Sequence, residues 1–318
     1  MIDWRFIVSF GILWLVGCNP IDLPQPTPVL STPTLPATTT PTRDIRTSTP
    51  TPDIYATELA ITSTAIVEAI VATQQPRVYG TYSSPDGEWR AEVVIYDCIK
   101  VDAGVEAGEN ALEQLLLTNV SSGDENLIDA QLQNCGGLGA AGFEGLFWSH
   151  NSRYFYYTDS RAGVPDGCGG YWQRPYLRLE INTLDVEDLG GGVRSPDGSK
   201  LATWQGQELV IWDVNEGDEV GRISPYVVNT DTGTGALVWS PDSQALIYVQ
   251  PESYCPVSGN SAIVHVDLAT LEQTILVESE APTFGGATWD NAEELALVDE
   301  NGNRWVYAFG TRELEPLP

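Results

Sequence analysis

Trp239-Ser240-Pro241-Asp242-Ser243-Gln244-Ala245-Leu246-Ile247-Tyr248-Val249 reads as the end of one strand, a tight turn and the start of another. Proline fixes φ at the second turn position, aspartate bonds back onto its own backbone, and the aliphatic and aromatic run that follows suits a pleated, buried strand. The same turn stands at Ser84-Pro85-Asp86-Gly87 and Ser195-Pro196-Asp197-Gly198. It degrades to Ser149-His150-Asn151-Ser152 and ends as Trp289-Asp290-Asn291-Ala292. With the last unit started at Asp290 to align its tryptophan, the units are spaced by 65, 46, 45 and 50 residues. After each turn comes a strand-like run, as in Ala91–Tyr96, Tyr154–Tyr157, Leu201–Trp204 and Leu246–Val249. Another follows after a loop, as in Leu209–Asp213, Ile263–Asp267 and Arg304–Tyr307. The unit is therefore strand, turn, strand, loop, strand, turn, strand, repeated five times.

A period near 45 residues built from four short strands predicts propeller blades. The Trp-Ser-Pro-Asp turn followed by a β-rich run resembles the TolB-type, WD-repeat-like β-propellers, over about residues 79–318. The resemblance implies the fold and leaves the role open, because such propellers serve many functions. The expected fold is all-β: a five-bladed propeller of four-stranded antiparallel blades at about 79–141, 142–189, 190–232, 233–283 and 284–318. Glycines introduce the strand before each turn, at Gly80, Gly142, Gly145, Gly190–Gly192, Gly233, Gly235, Gly285 and Gly286. Innermost strands that converge on an axis have little room for side chains, which suits glycine. A divergent sixth blade around 54–79 is the alternative count, and the long first interval is assigned to loops at 97–110 and 121–141.

The N-terminus carries an address. An apolar run from Phe6 to Val16 is too short to span ~30 Å of hydrocarbon at ~1.5 Å per residue, and matches a signal-peptide core. Leu15-Val16-Gly17-Cys18 resembles the lipobox of bacterial lipoproteins, which implies a signal peptide at 1–17 and lipidation of Cys18 as the mature N-terminus. Acyl chains would then anchor the protein in a membrane without a spanning helix. Residues 18–53 form a linker, with nine Pro and ten Thr between 19 and 53, and so lack the donors and apolar area of a packed core. From 54 to 76 the composition turns to Ala, Ile, Val and Thr. Leu59, Ile66 and Ile70 share one helical side, so a short helix is expected to pack on the propeller or on a second copy.

With 15 Lys+Arg against 44 Asp+Glu and a net charge of -29, the chain repels phosphate backbones, and nucleic acid is excluded as a partner. Four cysteines remain beyond Cys18: Cys98, Cys135, Cys168 and Cys255. An even count in an exported chain predicts disulfides, and connections that alternate between the ends of an up-and-down blade place all four at one end. The pairing expected is Cys98–Cys135 with Cys168–Cys255; the alternative joins Cys135 to Cys168. The same end carries insertions with Tyr171, Trp172 and Tyr254, aromatics on stapled loops that suit a partner-binding surface or cover the disulfides themselves. The proline turns fall at the other end and are expected to be structural.

Chemistry is sparsely signalled. The two histidines, His150 in a turn and His265 on a strand, have no nucleophile motif beside them. No CxxC-like pairs suggest a metal, and Asp213–Glu219, though acidic at alternate positions, lacks the glycine and distal glutamate of an EF-hand loop. No cofactor is expected. The leading expectation is a non-enzymatic, membrane-anchored extracytoplasmic module that binds a protein or an envelope polymer. The alternative is a glycan hydrolase or lyase with paired acids in the central funnel, where Glu144 is the best candidate.

Overall fold

The computed structural model describes residues 67–68, 70–101, 108–135, 141–160, 174–226, 236–254 and 256–318. Apart from a helical stretch at 67–68 and 70–73, the regular structure is antiparallel β-sheet. Cys18, the expected signal peptide and linker, and 54–66 of the expected helix lie outside the described residues.

The first sheet comprises β1 (Arg77–Ser83), β2 (Trp89–Ile95), β4 (Gly108–Asn119) and β5 (Glu125–Asn134), with the short β3 (Ile99–Val101) added beside β4. A seven-stranded sheet follows, running from β6 (Ala141–Trp148) through β7 (Tyr154–Ser160), β8 (Pro175–Glu180), β9 (Val186–Arg194), β10 (Lys200–Gln205) and β11 (Glu208–Asp213) to β12 (Glu219–Ile223). It consists of two four-stranded meanders that share one strand. Val186, Glu187, Asp188 and Gly191 of β9 pair with β8, and Gly191 to Arg194 pair with β10. Two further four-stranded sheets complete the chain. One holds β13 (Ala236–Trp239), β14 (Ala245–Tyr254), β15 (Val257–Asp267) and β16 (Gln273–Ser279); the last holds β17 (Phe284–Thr288), β18 (Glu294–Asp299), β19 (Arg304–Ala308) and β20 (Glu313–Pro316).

The apolar runs are continuous because each inner sheet is covered on both faces. Along β10 and β11, Leu201, Val210 and Trp212 join Tyr154 and Tyr156 on one side, while Ala202, Trp204, Leu209 and Ile211 join Leu237, Leu246 and Tyr248 on the other. Along β14, Leu246 and Tyr248 face the third meander, whereas Ile247 and Val249 face Phe284, Leu295 and Leu297 of the last sheet. A strand buried on one face alternates in polarity, and one buried on both does not. Each such fully buried Leu, Ile or Val contributes roughly 1.5–3 kcal/mol relative to exposure. Four seams of this kind join the five meanders in chain order. On the other face of the first sheet, Ile70 of the helical stretch is fully buried against Val94, Tyr96 and Leu112.

The glycines are explained by close approaches. A Cβ at Gly190 or Gly192 would stand about 2 Å from the Trp204 or Ala202 carbonyl oxygen, and one at Gly80 or Gly145 would enter the Tyr82 ring. Glycine therefore lets β9 lie against β10 and lets one ring fill the first seam.

Candidate functional site

Each sheet has two ends. At one, Cys98 and Cys135 are joined by a disulfide that closes a sequence separation of 37 residues. This fastens the segment after β2 to the passage between the first and second sheets, and the Cys135 N–H also donates to Glu109. Cys168, Tyr171, Trp172 and Cys255 lie outside the described residues. Tyr254 does not present its ring to a partner: it is 5% exposed, and its hydroxyl donates to the Val249 carbonyl of the same strand, β14. A buried phenol hydroxyl needs a hydrogen-bond partner and this one finds it within β14, so Tyr254 is removed from the expected contact surface. Glu144, on β6, accepts from Arg174 at 2.7 Å. Asp213 accepts from the Asn215 and Glu216 N–H groups, so the acidic stretch after it is the β11–β12 turn.

The opposite end carries the proline turns, and here the repeats are linked across the seams by two recurrent hydrogen bonds. In the first seam the Asp86 N–H donates to Ser152 Oγ, and Trp148 Nε1 donates to the Tyr82 carbonyl. In the third seam the Asp197 N–H donates to Ser243 Oγ, and Trp239 Nε1 to the Val193 carbonyl. The second seam uses another pair, with His150 N–H donating to Asn215 Oδ1 and Asn151 Nδ2 to the Asn215 carbonyl. Within each proline turn the aspartate is held as an anion. Burial works to raise the Asp197 pKa, but the Ser199 N–H, the Ser195 and Ser199 hydroxyls and Lys200 outweigh it and hold the carboxyl at about 2.

The fourth seam, between the β13–β16 and β17–β20 sheets, has neither link. Ala292 stands two residues before β18, where Ser152 and Ser243 stand before β7 and β14, and it has no hydroxyl. Trp289 Nε1 is buried with no hydrogen-bond partner. A cleft of about 260 Å³ opens there, lined by Asp242, His265, Asp267, Trp289 and Ala292 among others. His265 meets the Trp289 ring edge-on at 6.0 Å, and Trp289 stacks on Phe309 at 5.0 Å. Burial lowers the His265 pKa against the opposing pull of Asp267, which keeps the imidazole neutral at pH 7. The Ser240 hydroxyl and Gln244 N–H lower the Asp242 pKa, and the Thr270 N–H and hydroxyl, Ala269 N–H and His265 do the same for Asp267. The cleft thus presents two carboxylates, one neutral imidazole and an indole, with no Lys or Arg among the described residues of its walls. The turn aspartates read as purely structural in the sequence; the signal that marks this one is the missing serine at 292.

No protein-family model matches the sequence, and no curated protein matches it. Solved structures similar to it include dipeptidyl peptidase 4 from Porphyromonas gingivalis, with 14% identity, a TM-score of 0.39, and coverage of 78% of this chain and 41% of that one. TolB from Acinetobacter baumannii is similar at 16% identity and a TM-score of 0.28, over 76% of this chain and 54% of that one. A putative 6-phosphogluconolactonase from Bacteroides fragilis is similar at 12% identity and a TM-score of 0.35, over 74% and 82% of the two chains. These neighbours are propeller folds of mixed function. The chain thus spans 41% and 54% of the length of the first two.

Proposed function

We propose that the protein is a non-enzymatic binding module held outside the cytoplasmic membrane by a lipidated Cys18. Its five meanders form the blades of a propeller whose looped end engages a protein or an envelope polymer. The observation that carries the reading is the Cys98–Cys135 disulfide, which fastens the insertion of the first sheet at the end of the strands opposite the proline turns. A disulfide favours an oxidising, extracytoplasmic compartment. Loops fastened to a packed sheet also lose little conformational freedom on binding, which leaves more of their contact energy as affinity. We take Tyr171 and Trp172 as the aromatic anchors of that surface, of the kind that dominates interface energetics.

The test is capture from envelope extracts with the full chain. Replacing Tyr171 and Trp172 together by Ala lowers capture at least tenfold with unfolding temperature unchanged, whereas Glu144→Gln leaves capture intact. Full capture by the double variant contradicts the assignment of the looped end, and loss of turnover of a glycan on Glu144→Gln contradicts the non-enzymatic reading.

A further inference from the structure

We infer that the cleft of the fourth seam recognises a basic side chain, arginine or lysine, presented on a peptide of a partner protein. Three observations converge on it. Among the described residues, the only formal charges in its walls are the carboxylates of Asp242 and Asp267. The whole chain, at a net charge of -29, adds a long-range field that draws cations and repels anions. Its volume of about 260 Å³ is below the ~300–1,000 Å³ of sites for drug-sized molecules and suits one long side chain.

The hydrogen-bond pattern agrees with a peptide as the carrier. In the first and third seams the turn aspartate N–H is answered by a serine hydroxyl of the next repeat. Asp242 shares the cleft wall with Ala292, which has no hydroxyl, and among the described residues Trp289 Nε1 is a buried donor without an acceptor. A buried donor left unmet is costly, so this seam gains from a ligand that brings an acceptor of its own. A peptide carbonyl beside a basic side chain supplies an acceptor and a cation together. The indole wall suits the side chain's methylene stem or guanidinium face. This site lies at the opposite end of the strands from the looped surface and goes beyond the function proposed for it, so either assignment can fail alone.

The experiment titrates the full chain in detergent, at up to millimolar peptide, with acetyl-Gly-Arg-Gly-amide. A matching peptide carries citrulline, which has nearly the shape of arginine and no charge. The arginine peptide is expected to bind at least tenfold more tightly. Asp242→Asn and Asp267→Asn each weaken it several-fold while keeping the Oδ1 acceptors that hold their turns, and Ala292→Arg, which supplies a cation from within, weakens it at least tenfold. Envelope capture through the looped end stays unchanged in all three. Equal binding of the two peptides, no binding of either, or indifference to both aspartate substitutions overturns the inference. The comparison of peptides on the unaltered chain decides the matter if a variant fails to fold.

Discussion

The third and fourth seams are built from the same repeat and differ in how their ends are fastened. Both bury aliphatic and aromatic side chains between four-stranded meanders. In the third, Trp239 is the last residue of β13 and its indole N–H reaches the Val193 carbonyl at 2.9 Å. In the fourth, Trp289 falls just beyond β17 and its N–H reaches nothing. The cause is one residue of length. The pairs that close the two hairpins are Trp239↔Leu246 and Thr288↔Ala296, so the fifth turn spans one residue more. Because side chains alternate with a period of two, a shift of one residue re-aims every side chain in the turn. Packing therefore joins the sheets in both seams, while the polar links are separable from it and were given up where a cleft opens.

The largest expected effect comes from deleting each indole N–H. Trp239→Phe should cost roughly 1–3 kcal/mol beyond the lost ring area, because the Val193 carbonyl is left without its donor. Trp289→Phe should carry no such excess. Equilibrium urea unfolding of both variants measures the difference, and equal losses would mean that the two seams are fastened alike.

A smaller effect is expected at the hydroxyls. Ser152→Ala and Ser243→Ala each remove the acceptor of a turn aspartate N–H and should cost about 1 kcal/mol. Ala292→Gly, with no link to lose, should stay within about 0.5 kcal/mol. The midpoints of thermal unfolding rank the three. A cost at Ala292 equal to that at Ser243 would break the comparison.

The smallest is a difference in acid response. Asp197 is held at about 2, below the ordinary ~3.9, so its contribution is complete above ~4 and is lost as pH falls toward 2. His265 acts in another window. Its folded pKa lies below the ordinary ~6.5, the unfolded chain takes up the proton first, and stability falls as pH drops below ~6.5. His265→Gln should flatten the fall in stability that begins as pH drops below about 6.5 and leave the loss below ~4 in place. A profile unchanged in the upper window would show that His265 is not held neutral in the seam.

Much of the architecture was legible because turn chemistry and strand polarity are local properties. Ser-Pro-Asp-Gly at 84 and 195 marks the turns, and unbroken apolar runs such as Leu209–Trp212 mark strands covered on both faces. Counting which end each connection reaches put all four cysteines together and left Cys135 two possible partners; the structure joins it to Cys98, the pairing that closes a loop within the first repeat. The candidate site was less legible. Tyr254 reads as a loop aromatic in the sequence, yet β14 and β15 extend to Tyr254 and Val257, and the ring turns back onto its own strand. Trp148, Trp239 and Trp289 look equivalent as letters, and only pairing register, a property of two strands at once, separates the last from the others. A cleft made by an absent hydroxyl has no positive motif to find.

Amide hydrogen exchange at the three turn aspartates tests the claim that the fourth seam is the unfastened one most directly. Asp86 and Asp197 donate to Ser152 and Ser243 at 3.1 Å, whereas Asp242 faces Ala292 across the cleft. The account predicts that the Asp86 and Asp197 amides are protected and that the Asp242 amide exchanges at least tenfold faster. Equal protection at all three would contradict it.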